Sequence, residues 1–138
     1  MTDGHGVPLA VRVSPGQAHE SKSFEAVVCA VPIRQGDWPT RLAGDKGYSY
    51  PRIREWLRER EIVDVIAHRS DQRVAGDEDE FDRQAYRRRN WVERCVGWLK
   101  ECRRVATRFE KLAVNYLAML KLAMVERYLR LLSRPAYR

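Results

Sequence analysis

The 138-residue chain holds three cysteines, Cys29, Cys95 and Cys102, with no C-x-x-C pair among them. An odd count without paired spacing argues against a disulfide framework, and a reducing cytoplasm fits it best. Cys95 and Cys102 lie seven residues apart in a helical pattern beside Trp91 and Trp98, which reads as core thiols rather than metal ligands. His5, His19 and His68 are scattered without ligand spacing. The sequence has no run of 18 apolar residues and no charged leader followed by an apolar stretch, so neither a membrane span nor export is indicated. Repeats and low-complexity segments are also lacking. Acidic residues are in the minority, 19 against 26 Lys and Arg, and the net charge of +7 suits a polyanionic partner such as nucleic acid. A hydrophobic content of 44% over this length predicts a single globular domain spanning 1–138.

The basic signal is concentrated. Between Arg83 and Lys111 ten Lys and Arg stand against three Glu, a local excess equal to the charge of the whole chain. Along the chain, Thr2-Asp3-Gly4-His5-Gly6 is hairpin-turn chemistry, followed by an alternating strand from Pro8 to Val13. A turn at residue 3 needs a strand before it, so the upstream half of a sheet is expected to be missing. His19 to Val31 predicts a short helix with Phe24, Val27, Val28 and Val31 on its apolar side. Arg41 to Gly47 predicts a strand ending at Asp45 in a Gly-flanked turn. Tyr50 to Glu61 predicts a helix with Pro51 in its first turn, and Ile62 to Ala67 a further strand. His68 to Glu80 reads as a polar loop. Asp82 can cap a long helix from Arg83 to Cys102, and an apolar-rich helix follows from Leu112 to Leu132. Strands alternating with helices indicate an α/β sheet with crossover connections and long C-terminal helices.

On one continuous helix, Tyr86, Arg89 and Lys100 would fall within about 40° of Glu93 at 100° per residue, while Trp91, Cys95, Trp98 and Cys102 would fall on the opposite side. Such a helix presents one carboxylate among cations and buries an aromatic back. The plain alternative is that Arg89 and Glu93 form an i, i+4 surface pair worth about 0.3 to 0.5 kcal/mol. Gly44-Asp45-Lys46-Gly47 is equally ordinary turn chemistry by itself. Together the two acids gain interest, because an Asp at a strand end and a Glu on a later helix can converge on a divalent cation.

The spacing of Tyr86, Arg89, Glu93 and Lys100, with two, three and six residues between them, resembles the Y-R-E-K signature of bacterial insertion-sequence transposases of the DDE class. Ser14-Pro15-Gly16-Gln17-Ala18-His19 is similar to that family's T-P-G-Q-x-H stretch, and Gly44 to Ser49 to the segment around its second Asp. The blocks Arg88 to Arg94 and Arg104 to Leu112 resemble it too. The resemblance implies an RNase-H-like, retroviral-integrase-like core, incomplete at its N-terminus, with Asp45 as the second catalytic Asp and Glu93 as the catalytic Glu. It further implies Mg²⁺ as cofactor, DNA ends and target as substrates, and phosphoryl transfer with no covalent protein intermediate. Lys100 then becomes a candidate for contact with phosphate or a terminal base, Arg89 for positioning Glu93 or DNA, and Tyr86, Arg104 and Arg108 for DNA contact.

One element of that pattern has no match. The family's first Asp belongs on a strand upstream of the hairpin, and Asp3, in the turn, would lie at the opposite end of the sheet from Asp45. The chain is therefore expected to be inactive alone and to need an upstream transposase polypeptide or a full-length transposase. The rival readings are a non-catalytic DNA-binding remnant that regulates full-length transposase, and an interaction domain whose Arg-rich helix holds a protein.

Overall fold

A computed structural model describes residues 1–33, 37–69 and 82–133. The chain gathers into two compact units, one made of Gln17–Asn90 and the other of Met1–Gly16 with Trp91–Arg138.

In the Gln17–Asn90 unit, a 3₁₀ turn over Glu20–Ser23 leads into helix α1, Phe24–Val28. Strand β1, Arg41–Gly44, alternates exposed and buried residues, as a strand with one covered face must. Helix α2, Pro51–Arg58, crosses over to strand β2, Val63–Ile66, which pairs with β1 in parallel, Arg41 opposite Val63 and Gly44 opposite Ile66. The strand, helix, strand order read from the sequence thus forms a parallel pair with a helical crossover. Pro51 opens α2 where a missing N–H costs nothing, and Ile53 and Leu57, one turn apart, are both 0% exposed. Phe24 and Val28 bury the matching stripe of α1. A Cβ on Gly44 would come within 3.2 Å of the Ile66 side chain, so a small residue suits the sheet there. Trp56 extends this core outward, packed edge-on against Phe24 and Trp38, with the Arg60 guanidinium 3.9 Å from its ring centre. Helix α3, Arg83–Arg88, ends the unit, and Asp82 caps it as predicted, accepting the Ala85 N–H at 2.8 Å.

The other unit contains α4, Asn90–Glu101, α5, Arg103–Ala106, and α6, Ala113–Leu132. Its core gathers Val105, Leu120 and Ala123, with Val11, Val13, Leu99, Cys102, Tyr116 and Met119 packed around them. Cys95 is also buried and Cys102 half-buried, so both behave as core thiols; Cys29 is exposed. The turn at the start of the chain forms as its residues predict. One oxygen of Asp3 accepts the N–H groups of His5 and Val7, each at 2.8 Å. Gly6 closes the turn at φ 81°, and a Cβ there would meet the Trp91 ring at 3.0 Å.

Three expectations need correction. Residues from Pro8 to Val13 form no strand but a single antiparallel bridge between Thr2 and Pro8. The Asp3 N–H on the Val7 carbonyl and the Leu9 N–H on the Met1 carbonyl hold that bridge, and the Ala10 N–H crowds onto the same Met1 carbonyl at 3.5 Å instead of extending a regular ladder. The helix expected over His19 to Val31 shortens to a 3₁₀ turn and five α-helical residues. Polar side chains compete with the helix there, the His19 ring accepting the Ser21 N–H. The long helix from Arg83 to Cys102 is interrupted at Arg89, whose N–H bonds three residues back to Tyr86 at 3.0 Å. Cations at positions 87, 88 and 89 favour a helix end, and Asn90 is a residue type that starts one. The angular projection therefore holds for Glu93 and Lys100 on α4 and not across the four residues. Most of the predicted polar loop, residues 70–80, lies outside the described residues.

The chain leaves α2 through a turn in which Glu61 donates to the Arg58 carbonyl and Ile62 to that of Leu57, both at 3.0 Å. Glu61 takes φ 57°, the left-handed region that favours glycine. Glu61→Gly is accordingly expected to stabilise the protein by about 0.5 to 1 kcal/mol. A lowered midpoint in thermal denaturation would show that the side chain makes a contribution exceeding its strain.

Candidate active site

Asp45 follows the last residue of β1 and caps the 3₁₀ turn Lys46–Tyr48, its Oδ1 accepting the Lys46 N–H at 2.6 Å. The turn-former reading of Gly-Asp-Lys-Gly is therefore correct as far as it goes. The other oxygen, Oδ2, stands 3.9 Å from Nη1 of Arg89, and the Asp45 side chain keeps 59% of its surface exposed. Arg89 is only 27% exposed, and its guanidinium lies 5.4 Å from the centre of the Tyr86 ring. Tyr86, Arg89 and Asp45 thus meet at the tip of β1, an arrangement that the sequence pattern, with its i, i+4 pairing of Arg89 to Glu93, did not suggest.

Sequence reasoning also missed the residues that surround Asp45. Arg69, just beyond β2, donates from Nε to the Lys46 carbonyl at 3.3 Å and stacks 4.6 Å from the Tyr50 ring centre. Glu20 approaches from the other side, close enough that a Cβ on Gly47 would sit 2.6 Å from its Oε1. Tyr48 packs on Phe24, and its phenol is pushed above its ordinary value, first by burial and then by the charges of Glu20 and Asp45. The available signal was topological: parallel pairing of Gly44 with Ile66 sends both strands out of the sheet at one edge, where ligands of α/β sheets bind.

Glu93 and Lys100 belong to the other unit. Both are exposed on α4 and, seven residues apart, share a face, while Cys95 is buried and Trp91 and Trp98 are half-buried. The polar and aromatic sides of this helix are thus the ones predicted. Arg94 and Arg127 stack on Trp91 and Trp98, at 5.0 and 5.4 Å from their ring centres. Arg104, exposed on α5, lies 5.5 Å from the centre of the Phe109 ring, which is itself 64% exposed. Arg108 ends α5 at φ 48°, its N–H on the Val105 carbonyl and that of Phe109 on the Arg104 carbonyl. Two guanidinium groups and one exposed ring make a surface suited to phosphate and base contacts. Among the described residues no three His, Cys, Asp or Glu side chains gather as a ready-made metal cage.

A family profile described as transposase DDE domain matches residues 1–125. The chain belongs to this family. A Burkholderia cepacia protein assigned as the transposase for insertion sequence element IS402 is 33% identical over 129 residues, covering 88% of this chain and 57% of the relative. The chain thus spans a little over half the length of that relative. No solved structure matches.

The electrostatics of the Asp45 turn give a pH prediction. A phenol whose pKa is raised in the fold stabilises it fully below the ordinary value near 10, and that contribution is lost as pH rises through the raised value. The difference in 295 nm absorbance between wild type and Tyr48→Phe should therefore titrate above pH 10, and Asp45→Asn should move it part-way down. Ionisation together with the exposed tyrosines would refute this placement of charge.

Proposed function

We propose that this chain is part of the RNase-H-like catalytic core of a DDE transposase, and that Asp45 and Glu93 are two of its three metal-holding carboxylates. The observation that carries the reading is the exposed Asp45 carboxylate at a parallel strand tip, with Arg89 of the signature beside it. Mg²⁺ commonly takes one or two protein carboxylates and completes its shell with water and substrate phosphates. Two exposed carboxylates suit it in donor type and number. When bound, such an ion polarises phosphate oxygens and lowers the pKa of an attacking water or hydroxyl.

The chain's own residues do the rest. The Lys46 N–H fixes one oxygen of Asp45 and leaves the other open to solvent. Arg89 restrains that second oxygen weakly, since an exposed pair of this kind is worth about 0 to 1 kcal/mol, and is displaced toward a phosphate as DNA arrives. Tyr86 holds the plane of Arg89. Lys100, on the face of α4 that carries Glu93, reaches a phosphate or terminal base, and Arg104 and Arg108 hold the backbone. Within residues 1–138 the family's first Asp has no match, so on this reading the metal site is completed by a third ligand from transposase sequence outside them.

A second reading, a non-catalytic DNA-binding regulator of full-length transposase, draws on the same basic excess between Arg83 and Lys111. Two experiments separate them. With duplexes ending in the inverted repeats that flank the gene, and Mg²⁺ or Mn²⁺, this chain alone should leave DNA intact. Addition of a polypeptide carrying the family's upstream segment should restore nicking, and Asp45→Asn or Glu93→Gln should abolish it. Nicking that survives both substitutions would overturn the catalytic assignment, and none under any condition favours the regulator.

For binding, anisotropy titrations across 50 to 200 mM salt should show a steep loss of affinity. Replacing Arg104 and Arg108 should lower the log–log slope by about 2, one for each phosphate contact. Arg108→Gly also relieves a left-handed backbone, so stability should stay within about 1 kcal/mol of wild type while affinity drops. An unchanged slope would remove both residues from the interface.

A further inference from the structure

Helix α6 has two apolar sides. Leu120, Ala123 and Met124 are buried within their own unit. The opposite side is exposed and carries Asn115, Ala118, Leu122, Val125, Leu129 and Leu132, the last four between 48% and 82% exposed. Their spacing is three, four, three, four, three. That is a heptad seam, with Asn115, Leu122 and Leu129 at a positions and Ala118, Val125 and Leu132 at d. A side of this composition on a 20-residue helix is costly to leave in water.

The charges beside the seam indicate what covers it. Lys121 falls at a g position and Glu126 at the following e, and both are exposed. In a parallel pair of identical helices, g of one heptad faces e′ of the next, so Lys121 meets Glu126 of the second copy, and the symmetry of the pair repeats the contact. An antiparallel pair brings g to g′ and e to e′ and leaves both charges without their opposites. Glu126 already pairs with Arg130 of its own helix at 2.6 Å, an exposed i, i+4 contact compatible with a second cation. Asn115 at an a position adds a polar layer, a device that fixes register and favours two strands. The geometry points to a parallel homodimer of this chain, formed along the outer side of α6.

Light scattering and sedimentation on the full 138-residue chain test it. The expected result is twice the monomer mass, returning to monomer mass in Leu122→Glu/Leu129→Glu with helical circular dichroism retained. Lys121→Glu should weaken the dimer by about tenfold, and Lys121→Glu/Glu126→Lys should restore it. Cross-linking fixes the direction: in a Cys29→Ser background, Ala118→Cys should form a 118–118′ disulfide readily, because parallel helices place the two side chains in one layer. A monomeric wild type, a dimer or larger assembly indifferent to the Leu substitutions, or a dimer without the 118–118′ cross-link would overturn the proposal. So would a monomer whose α6 becomes protected only when further transposase sequence is supplied.

Discussion

The position of the Asp45 turn depends on one half-buried contact. Sheet β1–β2 is a single pair only four residues long, too little to fix by itself where its loops go. Arg54, on α2, does so from the adjoining helix. Its guanidinium binds the Asp64 carboxylate within β2, the Ile66 carbonyl at the end of β2 at 2.8 Å, and the hydroxyl of Ser49 at 3.2 Å. Ser49 is 0% exposed and lies four residues past Asp45. Because Ile53 and Leu57 seat α2 in the core, the planar fork of Arg54 is held in place and joins the turn after β1 to the tip of β2. The apolar contacts position the helix, the helix positions the arginine, and the arginine fixes the loop that presents the carboxylate.

On the proposed function, the surroundings of that carboxylate combine two requirements that pull in opposite directions. A nucleic-acid backbone calls for cations near the strand tip, whereas a metal ligand must stay anionic and accessible. Arg89 and Arg69 supply the cations, yet Arg69 engages a backbone carbonyl rather than Asp45. Arg89 approaches only to 3.9 Å of a side chain that is more than half exposed. Neither removes Asp45 from solvent. A pairing this weak can exchange for a metal ion or a phosphate, as the proposed function requires.

The elements most legible in the sequence were those whose signal is local and strong. Pro51 in a first turn gave α2, Asp45 in its Gly-flanked turn gave the end of β1, and Asp82 gave the cap of α3. The split of α4 into a buried cysteine side and an exposed Glu93 and Lys100 side followed from periodicity alone. Less legible were the features set by competition or by distance along the chain. The break at Arg89 comes from a run of like charges followed by Asn90, which a projection assuming one uninterrupted helix passes over. The ladder that alternation after Pro8 had suggested shrank to one bridge, where the Leu9 and Ala10 N–H groups share the Met1 carbonyl. The meeting of Asp45 with Arg89, 44 positions later, and of Lys46 with Arg69 arises from the crossover topology and leaves no trace in residue spacing. Membership of the DDE family, by contrast, was readable because four residues at fixed intervals survive in the chain whatever the backbone does between them.

That Asp45 and Glu93 both hold metal is the central proposal, and paramagnetic Mn²⁺ reports on it directly. In ¹H–¹⁵N spectra of the chain with a short DNA duplex, amides flanking residues 45 and 93 should broaden together at the same Mn²⁺ concentration. Asp45→Asn should weaken the broadening at both places. Broadening at only one of them, or an effect around Glu93 that Asp45→Asn leaves untouched, would contradict a common site.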